Sequence, residues 1–99
     1  MKEFSRKETH FAMDTLRNQI RKAGYKNLHF AVKSNKESCI MVIEAPLFKR
    51  LFSSKMGTMI KASKKGIEIY TDKREPLEFL EVVVEKAREV FREEPKVYR

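Results

Sequence analysis

The sequence predicts an α+β domain in which two hairpins form a four-stranded antiparallel sheet with helices packed on it. Three observations indicate this class: helical apolar spacing near both ends of the chain, two pairs of apolar runs that each flank a turn, and a short amphipathic stretch between those pairs. The predicted order is therefore α-ββ-short α-ββ-α. A chain of 99 residues has the size of one domain, so residues 1–99 are assigned to a single domain.

The first helix is predicted from about Ser5 to Ala23. Ser5 and Glu8 form a Ser-x-x-Glu capping box, in which each side chain satisfies a free backbone N–H at the helix start. Gly24 follows the last apolar position, where a residue with left-handed backbone geometry is common. The apolar face of this helix consists of Thr9, Ala12, Met13, Leu16, Ile20 and Ala23.

The first hairpin is predicted around a turn at Asn35-Lys36. A two-residue turn there places three pairs on one apolar face, namely Leu28–Ile43, Phe30–Met41 and Val32–Cys39. The other face is mixed but still carries Ile40 and Val42, so we expect a helix or another subunit to cover it. Pro46 is expected to end the second strand of this hairpin.

A short amphipathic helix is predicted after Pro46, because Leu47, Phe48, Leu51 and Phe52 recur at helical spacing with Lys49 and Arg50 between them.

The second hairpin is predicted around Lys64-Lys65-Gly66. A two-residue loop gives the inner-face pairs Ala62–Ile67, Ile60–Ile69 and Thr58–Thr71, and it places Lys61 opposite Glu68. A three-residue loop with Gly66 in a bulge is the alternative register, and it mixes the two faces. We favour the two-residue loop.

The last helix is predicted from near Pro76 to about Glu93, and residues 94–99 are predicted to be a short, charged and frayed tail. The helix is apolar over much of its circumference, since Phe79 and Val90 widen its core face and Val82 lies off that face. The core face consists of Leu77, Leu80, Val83, Val84, Ala87 and Phe91.

Positive charge is concentrated in the first two thirds of the chain. Residues 1–66 contain fifteen Lys or Arg and five Asp or Glu, whereas residues 67–99 contain seven and nine. A basic surface attracts polyanions, so we expect a nucleic-acid-binding module, without distinguishing DNA from RNA. Phosphate contacts are expected where the end of the first helix, the short helix and the second hairpin tip converge at one end of the sheet. The candidate residues are Arg17, Arg21, Lys22, Lys26, Lys49, Arg50, Lys55, Lys64 and Lys65.

Surplus apolar residues indicate a second hypothesis, a homo-oligomeric adaptor or regulatory subunit that binds another protein. Phe11 is predicted to point away from the apolar face of the first helix, toward a partner subunit or a stacked base. Met59 and Tyr70 on the outer sheet face form a second such contact. The partner is then a second copy of the chain, forming a homodimer, or a different protein. The candidate interface residues are Phe11, Ile40, Val42, Phe79, Val82 and Val90.

Motifs for catalysis or cofactor binding are not found in the sequence. No two of His10, His29 and Cys39 have metal-ligand spacing, and the predicted register separates His29 from Cys39, which disfavours a Cys–His nucleophile. The three glycines lie far apart, which excludes a glycine-rich phosphate loop. We expect no catalytic residue, cofactor or metal, and a small enzyme or an accessory subunit of one is the remaining alternative.

The expected compartment is the cytoplasm. A single cysteine forms no intrachain disulfide, and the chain start shows no secretory signal. The uncharged run Ser38–Ile43 is far too short to span a bilayer, so no membrane contact is expected. Charged residues make up 36% of the chain and Gln19 is the only glutamine, a composition similar to that of thermophile proteins.

Overall fold

Two helices and five strands make up the residues that the structure, a computed structural model, describes: 5–44, 57–73 and 75–99. The elements in chain order are α1 (Arg6–Lys22), β1 (His29–Ser34), β2 (Ser38–Glu44), β3 (Gly57–Ser63), β4 (Gly66–Thr71), α2 (Leu77–Phe91) and β5 (Lys96–Tyr98). One sheet has the order β1-β2-β3-β4-β5, antiparallel from β1 to β4 and parallel between β4 and β5. The α+β class is confirmed, and a mixed five-stranded sheet replaces the predicted four antiparallel strands. The predicted short helix lies outside the described residues.

The ends of α1 follow from its capping residues. The hydroxyl oxygen of Ser5 accepts a hydrogen bond from the backbone N–H of Glu8 at 3.5 Å. Ala23 caps the other end, and Gly24 follows with φ +113°, a conformation that glycine adopts without a steric penalty. The predicted bounds of this helix are confirmed.

The core lies between the two helices and one face of the sheet. α1 packs on β1 and β2, α2 packs on β4, and the helices contact each other. α2 is packed against both a helix and the sheet, and its buried residues are Phe79, Leu80, Val83 and Ala87. The buried core residues are Met13, Leu16, Ile20, Cys39, Met41, Ile43, Ile60, Ala62, Ile67, Ile69, Phe79, Leu80, Val83 and Ala87.

Two residues of α2 differ from their predicted positions. Phe79, a predicted interface residue, is only 5% exposed, and its ring meets that of Tyr25 edge-on with centroids 4.9 Å apart. Leu77, predicted in the core, is 55% exposed, because it is the first residue of the helix and follows Pro76. Phe79 therefore belongs to the core and is withdrawn from the interface set.

The register of the first hairpin differs by two residues from the prediction. Val32 pairs with Met41 and Ser34 with Cys39, which leaves a three-residue loop, residues 35–37, between β1 and β2. The side-chain oxygen of Asn35 accepts hydrogen bonds from the N–H groups of Glu37 and Ser38, both at 2.8 Å. This Asx turn stabilises the longer loop. Because a strand repeats every two residues, the shift leaves each side chain on its predicted face.

The second hairpin has the predicted register. Ala62 pairs with Ile67, and Lys61 lies opposite Glu68, so the two-residue loop is confirmed and the three-residue alternative is wrong. Gly66 follows the loop with φ +107°.

We expect Gly66→Ala to lower the free energy of unfolding by about 1 to 3 kcal/mol, the usual cost of holding an L residue in a disfavoured backbone region. A Cβ atom there would also lie 2.9 Å from a side-chain oxygen of Glu93. Urea denaturation measures the change, and Lys65→Ala in the same turn is the control. Equal stability of the two variants would contradict the backbone argument.

The segment predicted as a frayed tail is instead tied to the sheet, with Lys96–Tyr98 forming β5 beside β4. The guanidinium of Arg88 donates two hydrogen bonds to the carboxylate of Glu94, at 2.6 and 2.9 Å, and holds the pKa of that carboxyl below its ordinary value. Arg99 donates to the backbone oxygens of Lys73 and Glu75, at 3.0 and 2.8 Å. These contacts provide the tethering that an ordered terminus requires.

Candidate nucleic-acid interface

Both hairpin turns lie at the same end of the sheet, which is called the hairpin end below. Pairing of β2 with β3 places Ser38 beside Ser63, and each of these serines adjoins its own turn. The opposite end of the sheet contains Glu44 and its partner Gly57. The sheet therefore brings residues of two turns together that are distant in the sequence.

Four lysines surround a cleft of about 510 Å³ at the hairpin end. The backbone N–H of Lys65 donates to the Ser63 hydroxyl at 3.2 Å, which holds the second turn against the end of β3. Glu37 is the single acidic residue of the lining, so the cleft carries a net positive charge and attracts anions. The residues that line this lysine cleft are Lys36, Glu37, Ser38, Lys61, Ser63, Lys64 and Lys65.

The sheet face opposite the core is not covered by either described helix, since both helices pack on the core face. Strand pairing orders this open face into two rows. The basic row is Lys33, Ile40, Lys61, Glu68 and Lys96. The aromatic row is Ala31, Val42, Met59, Tyr70 and Tyr98. Lys61 belongs to both the basic row and the lysine cleft, so the two positive regions are continuous.

Tyr70 and Tyr98 stack on each other within the aromatic row, with ring centroids 4.9 Å apart and an interplanar angle of 15°. The phenol of Tyr70 donates to a carboxylate oxygen of Glu68 at 2.9 Å. This hydrogen bond raises the pKa of Tyr70, so the phenol stays protonated at neutral pH. A groove of about 700 Å³ beside the pair is lined by Val42, Glu44, Gly57, Thr58, Met59, Tyr70, Thr71, Asp72, Tyr98 and Arg99.

The structure does not bring the predicted nucleic-acid-binding residues to one end of the sheet. α1 starts at the hairpin end, where His10 hydrogen-bonds to Ser34, and it finishes near the opposite end, where the Arg21 guanidinium lies 5.8 Å from the centre of the Phe30 ring. Arg21, Lys22 and Lys26 are thus separated from Lys64 and Lys65 by the length of the sheet.

Arg17 is not among the described residues that line the lysine cleft. Arg17 lies within α1 and pairs with Asp14 at 3.7 Å. Lys49, Arg50 and Lys55 lie outside the described residues.

The predicted interface residues are dispersed over both layers of the fold. Phe11 is 74% exposed on α1, as its position outside the apolar face predicts. Ile40 and Val42 are half-buried on the open face, and Val82 and Val90 are half-buried on α2. With Phe79 in the core, these side chains do not form one continuous surface.

Several residues of the site were not among the sequence candidates. Lys33, Lys36, Lys61 and Lys96 belong to the two positive regions, and Tyr98 stacks on Tyr70. Strand alternation alone places Lys33 and Lys61 on the outer face. The pairing of β2 with β3, which the sequence pattern left open, is needed to bring Lys36 next to the second turn.

A polar cluster joins α1 to the first hairpin. The Ser34 hydroxyl donates to Sγ of Cys39 at 3.5 Å and also bonds to Nδ1 of His10, whose Nε2 lies 3.7 Å from Asp14. The tautomer of His10 sets whether its Nδ1 donates to the Ser34 hydroxyl or accepts from it. Burial raises the pKa of the Cys39 thiol, which keeps it neutral and unreactive.

His29 lies on the open face and Cys39 on the core face, so the predicted separation of this pair is found. Among residues 5–44, 57–73 and 75–99, no three His, Cys, Asp or Glu side chains are grouped to hold a metal ion. Neither of the two described helices has the length and apolarity needed to cross a membrane.

Comparison with protein-family models, with curated proteins and with solved structures finds no match for this chain.

Proposed function

We propose that this protein binds nucleic acid through phosphate contacts at the lysine cleft. The observation that carries the proposal is the convergence of Lys36, Lys61, Lys64 and Lys65 from two hairpins on one cleft that contains a single carboxylate. A net charge of +8 serves solubility equally well when it is dispersed. Four lysines in one cleft instead repel one another, and a bound phosphate chain relieves that repulsion.

Lysine recognises phosphate as a point charge, without the planar geometry of a guanidinium. The cleft is therefore suited to the phosphate backbone, which carries no sequence information in its charges. Each phosphate neutralised by a lysine releases condensed counterions, so the affinity falls steeply with salt. We expect binding with weak sequence preference and strong dependence on ionic strength.

The test is fluorescence anisotropy with labelled single-stranded and duplex DNA and RNA, at salt concentrations from about 50 to 300 mM. A double variant, Lys64→Glu with Lys65→Glu, is compared with Arg21→Glu and Lys22→Glu at the opposite end of the sheet. Both double variants lose the same amount of charge, so a difference between them reports position. We expect the hairpin-end variant to lose at least about tenfold in affinity, because two phosphate contacts become repulsive.

Equal losses in the two double variants would show that charge, and not the lysine cleft, drives binding. A larger loss at Arg21 and Lys22 would move the site to the end of α1. Absence of binding to every probe at low salt would reject the proposed function.

A further inference from the structure

An exposed aromatic side chain lies beside the positive regions of the open face. Tyr98 is 45% exposed, and only one face of its ring is stacked on Tyr70. β5 is the last strand in the sheet order, so no strand of the described residues lies beyond Tyr98. Among the described residues, Tyr70 supplies the one ring stacked on Tyr98, and the exposure of Tyr98 lets a planar ligand reach it. Nucleic-acid bases stack on such rings without regard to their identity.

The basic row supplies phosphate contacts next to this ring. Lys96 precedes Tyr98 by two residues, so both side chains leave the same face of β5 about 7 Å apart. Lys61 lies further along the same row and also lines the lysine cleft. A nucleotide chain with a base on Tyr98 can thus continue over Lys96 and Lys61 to the lysine cleft, and Glu68 is the one acidic residue in that row.

The opposite side of the aromatic pair has a different charge. Glu44 and Asp72 line the groove beside Tyr98, and Arg99, the one basic residue of this lining, donates to the backbone oxygens of Lys73 and Glu75. Carboxylates repel phosphates and accept hydrogen bonds from the amino groups of bases. The face is therefore divided into a phosphate side at the hairpin end and a base side at the groove. This division suits a strand whose bases are turned out and unpaired.

We propose that the open face is a binding platform for single-stranded nucleic acid, with a base stacked on Tyr98 and the adjoining phosphates on the basic row. This inference rests on the proposed function and names the form of nucleic acid that is bound. A duplex keeps its bases stacked on each other, so it offers this platform only its backbone. Single strands are therefore bound more tightly than duplexes.

The experiment compares a twelve-nucleotide oligo(dT) with a duplex of the same length, using the wild-type chain and the variants Tyr98→Ala and Tyr98→Phe. For the wild type we expect the single strand to bind at least about tenfold more tightly than the duplex. This factor is the gain in affinity that one stacked base contributes. Tyr98→Ala is expected to lower the affinity for oligo(dT) about tenfold and to leave the affinity for the duplex unchanged. The dependence of affinity on salt concentration is expected to stay the same, because a stacking contact releases no counterions. Tyr98→Phe keeps the ring and is expected to bind like wild type.

A second readout uses the unmodified protein, in case Tyr98→Ala disturbs β5. Stacking of a base on tyrosine quenches its fluorescence, so oligo(dT) is expected to quench the wild-type emission and the duplex is not. Equal or tighter binding of the duplex, or unquenched emission with bound oligo(dT), would overturn the platform. If the protein still binds the duplex, and this binding depends on Lys64 and Lys65, the proposed function is not contradicted by this result. Absence of binding to both probes would reject the proposed function itself.

Discussion

Leu16→Ala is expected to lower the free energy of unfolding by about 3 kcal/mol, within the range of about 2 to 5 kcal/mol that buried Leu→Ala changes cost. Leu16 has no exposed surface and belongs to the core cluster that joins α1 to the sheet and α2. The close-packed surroundings relax only in part, so a cavity remains and adds to the lost transfer free energy of the side chain.

Urea denaturation followed by circular dichroism measures this loss as a lower transition midpoint. Leu77→Ala is the matched control, because it makes the same substitution at a residue that is 55% exposed on α2. We expect this control to cost less than about 1 kcal/mol, since surface substitutions away from packed sites change stability little. Equal losses at both positions would contradict the described packing of α1.

Removal of residues 96–99 is expected to lower the free energy of unfolding by about 2 to 3 kcal/mol. An aromatic pair contributes about 1 kcal/mol to stability in addition to the free energy gained from burying its surface. Each hydrogen bond contributes about 1 kcal/mol net. The truncation removes the stacking on Tyr70, the ladder between β4 and β5 and the two hydrogen bonds of Arg99. It also exposes the edge of β4 to solvent.

A frayed tail predicts a different outcome, because loss of disordered residues leaves the midpoint unchanged. Urea denaturation of the truncated chain and of the full chain therefore separates the two descriptions. Lys96→Ala in the full chain is the control, since it removes a charge and keeps the backbone of β5. An unchanged midpoint after truncation would show that β5 contributes nothing to stability.

The two hairpins show how far an apolar pattern specifies strand pairing. Around Lys64-Lys65, the turn and the alternation of Ile60 and Ala62 agree on one register, and that register is found. Around Asn35, two registers place the same side chains on the same faces, so the pattern cannot separate them. The Asn35 side chain decides between them by hydrogen-bonding two backbone N–H groups of the loop.

β5 was missed because its signal in the sequence is weak. Val97 is the one aliphatic residue of the strand, and Lys96 and Arg99 resemble the charges of a disordered end. The strand is held by partners that lie far away in the sequence, Tyr70 for the ring of Tyr98 and the backbone of Lys73 for Arg99. Such long-range contacts do not produce a hydrophobic periodicity in the sequence of residues 96–98.

Two of the lysines that line the cleft were among the residues predicted from the sequence. Lys64 and Lys65 follow from the turn, and they do line the lysine cleft. Lys36 joins them through the pairing of β2 with β3, a choice of neighbour that hydrophobic alternation does not determine. The direction of α1 across the sheet then separates Arg21 from the hairpin end.

The strand order also has a consequence for how the chain assembles. Both hairpins close over turns of a few residues, so their loop-closure entropy is small and we expect them to form early. We expect β5 to pair with β4 only after α2 has packed on the sheet, because α2 lies between them in the chain, and β5 has just three residues. Short peripheral elements of this kind have the lowest opening free energies in a native protein. Local opening of this edge would remove Tyr98 from the face while the hairpins stay folded, so the availability of the ring is linked to a sub-global unfolding equilibrium.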